Sequence, residues 1–176
     1  MNGAGKTTTF KMITGDEFIT SGNAFLNEIS LKSNLKKFQQ QLGYCPQFDP
    51  LIDQMTVLET LYMFARLRGI HPDLIEYTCL SLIDLLDLSD HVNKMNQHLS
   101  GGNKRKLSVA ISLVGSPCVV LLDEPTSGMD PKTRRTLWNS LNNIRNKGKS
   151  LILTTHSMDC LLYTSPSPLD YCAHLV

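Results

Sequence analysis

The chain opens with a glycine-rich segment that runs into Lys6 and Thr7. With Gly5, these residues match the end of the pattern G-x-x-x-x-G-K-[ST], whose first glycine would fall before residue 1. Such a loop directs backbone N–H groups and the positive end of a helix at phosphate, while the lysine neutralises charge and the threonine hydroxyl binds Mg²⁺. The alternative is an ordinary glycine turn before a helix. The residues that we predict to bind phosphate are Asn2, Gly3, Ala4, Gly5, Lys6, Thr7 and Thr8.

Two adjacent carboxylates follow an apolar run in the second half of the chain. The run Cys118–Leu122 is typical of a buried parallel strand, and Asp123 and Glu124 come directly after it. Ligands of open α/β sheets bind at that end of the strands. We expect Asp123 to hold Mg²⁺, directly or through water, and Glu124 to orient or deprotonate an attacking water. The alternative is a solvated strand end.

A second anion site is predicted at Ser100, Gly101 and Gly102, where a helix is expected to begin with Ser100 as its cap. One nucleotide on a monomer does not need two such sites. A second site is expected if it serves a nucleotide that a partner molecule holds. The alternative is a flexible loop before a capped helix. The basic run Lys104–Lys106 that follows is expected to be a solvated helix face.

Two isolated polar residues complete the set. Gln47 follows a short apolar run and Pro46, and its amide can lie near Mg²⁺ and a terminal phosphate. His156 ends a predicted strand and can donate to a phosphate oxygen. Alone, each has a simpler interpretation, as a surface glutamine and a structural histidine. We therefore predict Thr7, Gln47 and Asp123 as the Mg²⁺ ligands, and Glu124 and His156 as the catalytic residues.

The elements that must position these residues alternate between helix and strand at both ends of the chain. Apolar periodicity, caps and glycine stops predict helices over 6–14, 56–68, 71–86, 100–115 and from 130 to a stop at 148. Strands are predicted within 22–26 and over 42–45, 118–122 and 151–155. This order predicts an α/β fold with a parallel-sheet core, about 1–48 and 109–159, and an inserted helical subdomain at about 49–108.

Composition describes a near-neutral globular domain. The chain has 176 residues, with 17 Lys and Arg against 16 Asp and Glu, which argues against a nucleic-acid surface spread over the whole chain. No apolar stretch approaches the roughly 20 residues of a membrane-spanning helix, so composition taken alone excludes a channel or a transporter. The five cysteines form no CxxC pair and are expected to be reduced thiols of an intracellular protein.

Taken in order, the motifs over residues 1–159 resemble the nucleotide-binding domain of an ABC transporter, a P-loop NTPase with a Walker A loop. The Ser-Gly-Gly signature distinguishes that family from other phosphate-loop ATPases. The stretches 42–49, 65–69 and 102–108 resemble the A subfamily of lipid exporters, and 103–106 and 128–131 resemble its second nucleotide-binding domain. Residues 160–176, with two Ser-Pro steps, are expected to be a disordered or non-native tail, and the chain to be an N-terminally truncated fragment.

The resemblance implies a mechanism. Two such domains, expected within one polypeptide, close head to tail around two ATP molecules with Mg²⁺, and each ATP lies between one domain's phosphate loop and the other's signature. Closure drives transmembrane domains at the cytoplasmic face of a membrane, with no nucleic acid as partner. Asp130 would lie at the dimer seam, and the region 47–68 would touch the membrane portion. Because the adenine-stacking aromatic residue would precede residue 1, we expect the isolated chain to have negligible ATPase activity.

Two other interpretations stay open at this point. One is a soluble ABC-type ATPase that acts in translation or DNA repair, although the repair type needs a long coiled-coil insertion that this sequence lacks. The other is a domain that holds nucleotide without hydrolysing it, against which the intact Lys6, Gln47, Glu124 and His156 argue. If the resemblance holds, the lack of an apolar span describes this chain and not the transporter.

Overall fold

The structure, a computed structural model, describes residues 5–155. Its helices and strands alternate along both ends of that range, with three helices between β3 and β4. In chain order they are α1 (Lys6–Thr14), β1 (Phe25–Leu26), β2 (Ile29–Ser30), α2 (Leu35–Gln40), β3 (Leu42–Cys45), α3 (Val57–Leu67), α4 (Pro72–Leu85), α5 (Gly101–Leu113), β4 (Val119–Asp123), α6 (Pro131–Asn146) and β5 (Ser150–Thr154). Two 3₁₀ turns, Ser89–His91 and Asn96–His98, lie between α4 and α5.

A parallel sheet in the order β3-β4-β5 forms the centre of the fold. Leu42 pairs with Val119, and Asp123 pairs with Thr154, so the carboxyl ends of all three strands meet at one edge. This arrangement confirms the predicted α/β class. Strand β4 lies between the other two and is almost wholly buried, as its unbroken apolar sequence predicts.

The predicted helices are present because their ends carry local signals. Thr56 and Glu59 form the capping box expected at the start of α3, with the Glu59 carboxylate accepting from the Thr56 backbone N–H at 2.8 Å. Gly15 ends α1 with φ 87°, in the left-handed conformation that glycine allows. The side chain of Asp130 caps α6 by accepting from the Thr133 N–H at 3.0 Å. Each predicted helix matches an observed one to within a few residues.

Strand β1 lies within the strand predicted at 22–26, but its antiparallel partner β2 and helix α2 were not predicted. The hairpin β1–β2 turns at Asn27 and Glu28, which have φ 45° and 67°. Glycine is the usual residue for such a turn, so Asn-Glu gave no signal of it. Helix α2 has six residues, and only Phe38 among them is buried, which leaves no periodic apolar face to read.

Helix α5 is enclosed by the rest of the fold. Its residues from Arg105 to Leu113 are all buried, and it packs against β3, α3, α4 and α6. The approach to β3 is so close that a Cβ on Gly43 would lie 2.0 Å from the Ser112 carbonyl oxygen. The expectation of a solvated face at Lys104–Lys106 is therefore wrong for Arg105 and Lys106, each 4% exposed. Long side chains can run between packed elements to reach carboxylates, and both do so.

The core divides into two clusters. The larger unites α3, α4, α5 and α6 with buried residues of β3 and β4, and the smaller joins α1 and α2 to the same strands through Phe10, Phe38 and Leu121. Within residues 5–155, every helix is too short or too polar to cross a membrane.

Candidate functional site

The amino end of α1 lies against the carboxyl ends of the strands. Thr7 donates a hydrogen bond from Oγ1 to Oδ2 of Asp123 over 3.3 Å, although 116 residues separate them in sequence. Thr154, at the end of β5, donates from Oγ1 to the other oxygen, Oδ1. Asp123 is 3% exposed, so its carboxylate is fixed from both sides. The structure thus brings together two of the three predicted metal ligands.

The chain enters α1 through Gly5, which has φ 76°. That left-handed conformation favours glycine, and the first N–H groups of a helix have no partner within the helix. Among residues 5–155, no side chain caps them. Lys6 is partly exposed at the same end, and Thr8 is exposed. The arrangement provides an uncapped, positively polarised helix end beside a carboxylate, which suits a phosphate together with its cation.

Glu124 turns the chain away from β4. It has φ 50°, an uncommon conformation for a residue with a side chain. Its backbone N–H donates to the carbonyl oxygen of Thr154 at 3.2 Å, which holds this turn to β5. Strained backbone of this kind concentrates at functional sites, because the surrounding structure must hold it in place.

Gln47 lies exposed on the loop after β3, and that loop is held by Arg105. Nη1 of Arg105 donates to the carbonyl oxygen of Pro46, to that of Gln47 at 3.3 Å and to Oδ1 of Asp49 at 2.9 Å. Nη2 donates to the backbone carbonyl of Asp123. The same side chain thus contacts both the Gln47 loop and the end of β4.

Sequence reasoning missed Arg105, although a signal was present. Ser108 and Ser112 lie on a different side of α5 from the apolar residues Leu107, Ala110 and Ile111. Small residues on that side allow a second element to pack closely. They therefore indicate a helix that is buried on all sides. A long basic residue in such a helix must find acceptors inside the protein.

The amino end of α5 differs from that of α1. Ser100 caps its own helix, accepting from the Asn103 N–H at 3.3 Å, and both Ser100 and Gly101 are exposed. A Cβ on Gly101 would meet no atom within 4 Å, whereas one on Gly102 would approach Cγ2 of Thr133 to 2.9 Å. This second predicted anion site is therefore open to a molecule approaching from outside.

Two groups beside the site have pKa values displaced from their ordinary range. Hydrogen bonds from Thr133 hold the pKa of Asp130 below its ordinary value, so the α6 cap stays charged near neutral pH. Burial raises the pKa of the Cys45 thiol, which lies at the end of β3 with its sulfur 3.4 Å from Oγ of Ser108.

Some predicted residues lie outside the described range. They are Asn2, Gly3 and Ala4 of the loop, the catalytic candidate His156, and the tail 160–176. Their predictions stay predictions.

The donors present fit Mg²⁺. The Thr7 hydroxyl and the Asp123 carboxylate are oxygen ligands in contact with each other, and the Gln47 amide would add a third. Within residues 5–155, no cluster of three His, Cys, Asp or Glu side chains could hold a metal, so an ion here would take phosphate and water oxygens as further ligands. That combination of one or two carboxylates with substrate phosphates is the usual one for Mg²⁺.

Comparison with known proteins agrees with this geometry. Residues 1–127 match the family described as ABC transporter. The chain is 53% identical over 158 residues to the phospholipid-transporting ATPase ABCA3 of Rattus norvegicus, which covers 90% of the chain and 9% of that protein. It is 51% identical over 159 residues to the retinal-specific phospholipid-transporting ATPase ABCA4 of Bos taurus, covering 90% of the chain and 7% of that protein. The chain thus spans less than a tenth of the length of these relatives.

Solved structures show the same fold. The ATP binding subunit of an ABC transporter superposes with a TM-score of 0.78 at 28% identity, covering 90% of this chain and 66% of that one. A dimeric ATP-binding cassette in a post-hydrolysis state, bound to ADP and Pi, superposes with a TM-score of 0.81 at 22% identity, covering 93% and 75%. The second likeness concerns the fold alone.

Proposed function

The chain belongs to the ABC transporter family, and on that basis we propose that it is the ATP-binding and ATP-hydrolysing motor domain of a lipid transporter. The observation that carries the proposal is the contact between Thr7 and Asp123, which joins an uncapped helix end to a buried carboxylate at the edge of a parallel sheet. We propose a core of about 1–48 and 109–159 with a helical subdomain at about 49–108.

The residues of the phosphate loop would bind ATP. The N–H groups that follow Gly5 and the ammonium of Lys6 would contact the phosphates, because a helix amino end and a cation both favour negative charge. Thr7, Asp123 and Gln47 would hold Mg²⁺. When bound, the ion supplies positive charge that stabilises the phosphate oxygens as negative charge develops on them.

Hydrolysis would depend on Glu124. Its carboxylate would accept a proton from a water molecule as the water oxygen bonds to the γ-phosphorus and the bond to ADP breaks. Its backbone is held by Thr154, so the side chain starts from a fixed position at the edge of the sheet. His156 would donate a hydrogen bond to the γ-phosphate.

The second helix end would serve a different ATP molecule. Ser100 and Gly101 are exposed, and the space beside Gly101 is open, which suits phosphates presented by another domain. We propose a second nucleotide-binding domain, within the same polypeptide, that packs head to tail against this one with Asp130 at the seam.

Transport is proposed from the relatives. These relatives are phospholipid-transporting ATPases, and they are 50–53% identical to this chain over 90% of its length. This likeness favours a transporter over a soluble ATPase of translation or repair. The domain would then lie at the cytoplasmic face of a membrane and drive transmembrane domains. The isolated chain would show negligible turnover.

The test is phosphate release by the full-length protein that contains this chain, purified and reconstituted in phospholipid vesicles with ATP and Mg²⁺. Glu124→Gln keeps the side-chain size and removes the base, so turnover should fall on the order of 10²–10⁴-fold while ATP still binds. Glu76→Gln, an exposed change on α4, is the matched control and should keep wild-type turnover. The proposal fails if the wild type does not hydrolyse ATP or if Glu124→Gln is as active as Glu76→Gln.

A further inference from the structure

Arg105 is a buried cation at the meeting point of three parts of the site. It is 4% exposed and lies one turn after Gly101 on α5. A buried charge is costly unless it is paired and hydrogen-bonded. Here the guanidinium has one carboxylate partner, Asp49, and three backbone carbonyl partners in two different elements.

The two arms of the guanidinium hold different elements. Nη1 contacts the loop after β3, including the carbonyl of Gln47, and Nη2 contacts the carbonyl of Asp123 at the end of β4. The fixed fork of arginine allows this division of its donors, which a lysine ammonium cannot reproduce.

The contact with Asp123 bears directly on Glu124. The carbonyl of Asp123 and the N–H of Glu124 belong to one peptide group, which is planar. Arg105 holds the carbonyl of this group, and the Thr154 carbonyl accepts from its N–H. Fixed at both ends, the group sets the direction in which the chain leaves β4 and therefore where the Glu124 side chain begins.

The neighbouring residue shows what a purely structural pair looks like. Lys106 is also 4% exposed, and its Nζ lies 2.9 Å from Oδ2 of Asp87. It also donates to the Asp87 backbone carbonyl at 3.3 Å, so all its partners belong to the single residue Asp87, between α4 and α5. Arg105 and Lys106 therefore have the same exposed fraction and the same ion-pair distance, and they lie on the same helix. They differ in the residues that they contact.

We propose that Arg105 is a positioning residue for ATP hydrolysis, which sets Gln47 and Glu124 relative to each other and ties both to α5. The proposal rests on the proposed function. Because Arg105 would contact neither the phosphates nor the ion, its loss should leave ATP affinity unchanged and slow the chemical step. A displacement of about 1 Å at a reacting group can cost on the order of 10²-fold in rate.

The experiment measures kcat and KM for ATP, with ATP binding measured separately, in the full-length protein in phospholipid vesicles. Arg105→Gln should lower kcat about 30- to 100-fold with KM and ATP affinity within about twofold of wild type. Arg105→Lys keeps the positive charge without the forked donors of arginine, so its kcat should lie between those of the wild type and Arg105→Gln. Asp49→Asn weakens one contact only and should lower kcat several-fold, again with KM unchanged.

Lys106→Gln is the matched control, because it removes an equally buried cation, with an ion pair of the same length, from the same helix. Its kcat should stay within about threefold of wild type. If Arg105→Gln and Lys106→Gln lower kcat equally, or if Arg105→Gln raises KM and leaves kcat intact, Arg105 is not a positioning residue. If Arg105→Gln does not fold, Asp49→Asn decides by the same comparison. If the wild type is active and Arg105→Gln has wild-type kcat and KM, this role alone is overturned. If the wild type is inactive, the proposed function is overturned and this role with it.

Discussion

The amino ends of α1 and α5 carry similar loop chemistry and have opposite surroundings. At α1, Thr7 reaches the Asp123 carboxylate of the same chain. At α5, Ser100 caps its own helix and Gly101 faces open space. The difference teaches that one helix end belongs to a site assembled within the chain, whereas the other is left open on the surface.

The two helices are also held differently. Only Phe10 and Thr14 of α1 are buried, whereas α5 is buried without interruption from Arg105 to Leu113. A change at the α1 end should therefore act on chemistry with little effect on the fold. Changes of the apolar residues inside α5 should act on the fold. Changes at its exposed end should affect neither the fold nor the binding of ATP to this chain's own phosphate loop.

The largest effect is expected at the α1 side. Asp123→Asn keeps the size of the side chain and removes the charge that would hold Mg²⁺, so turnover of the full-length protein should fall on the order of 10³-fold, with a higher Mg²⁺ requirement. Steady-state phosphate release across a Mg²⁺ titration measures both. Asp90→Asn, an exposed change between α4 and α5, should have no effect. Equal activity of the two variants would refute the role of Asp123.

The exposed end of α5 should give the next effect. Gly101→Asp puts a negative charge where another domain's phosphates would approach, so turnover should fall on the order of 10²-fold. Because a Cβ at this position meets nothing within 4 Å, the melting temperature should not change. Gly101→Ala is the size control and should be milder. A drop in melting temperature that tracks the loss of turnover would show that the effect is on folding.

The melting temperature should respond to a change beside the buried part of α5 and not to a change at its exposed amino end. Gly43→Ala places a Cβ 2.0 Å from the Ser112 carbonyl, which must force α5 away from β3. Overpacking of this kind costs about 3 kcal/mol or more, which corresponds to a fall of roughly 6–12 °C in melting temperature. Thermal unfolding measures it, with Gly101→Ala unchanged beside it. An unchanged melting temperature for Gly43→Ala would contradict the close packing.

The smallest effect is a pH dependence of stability that arises from Cys45, which packs against α5 at Ser108. Burial raises the folded-state pKa of Cys45 above the ordinary thiol value, so the unfolded chain loses this proton first as pH rises. Stability is therefore unaffected below the ordinary pKa and falls above it, from about pH 9 upward. Melting temperatures of wild type and Cys45→Ala between pH 7 and 10 should converge or cross at high pH. Parallel curves would show that folding does not raise the pKa of this thiol.

The sequence predicted those parts of the molecule whose causes are local. The α3 capping box, the β3 strand ended by Pro46 and the carboxylates after β4 depend on residues close together in the chain. Arg105 was expected in solvent because its partners lie up to 59 residues away, and no local pattern links them. The hairpin at Asn27 was missed because its turn lacks glycine. The pairing of Thr7 with Asp123 could be inferred only from the rule that ligands bind at the carboxyl ends of parallel strands.

The central claim is that the α5 end completes an ATP site on a partner domain. Its most direct test is a disulfide between Ser100→Cys and a cysteine placed in the phosphate loop of the second nucleotide-binding domain, in the full-length protein carrying Glu124→Gln. We predict that the cross-link forms with ATP and Mg²⁺ and only weakly without nucleotide, and that Glu76→Cys on α4 forms none. A Ser100→Cys cross-link that is independent of ATP, or that matches Glu76→Cys, would contradict the account.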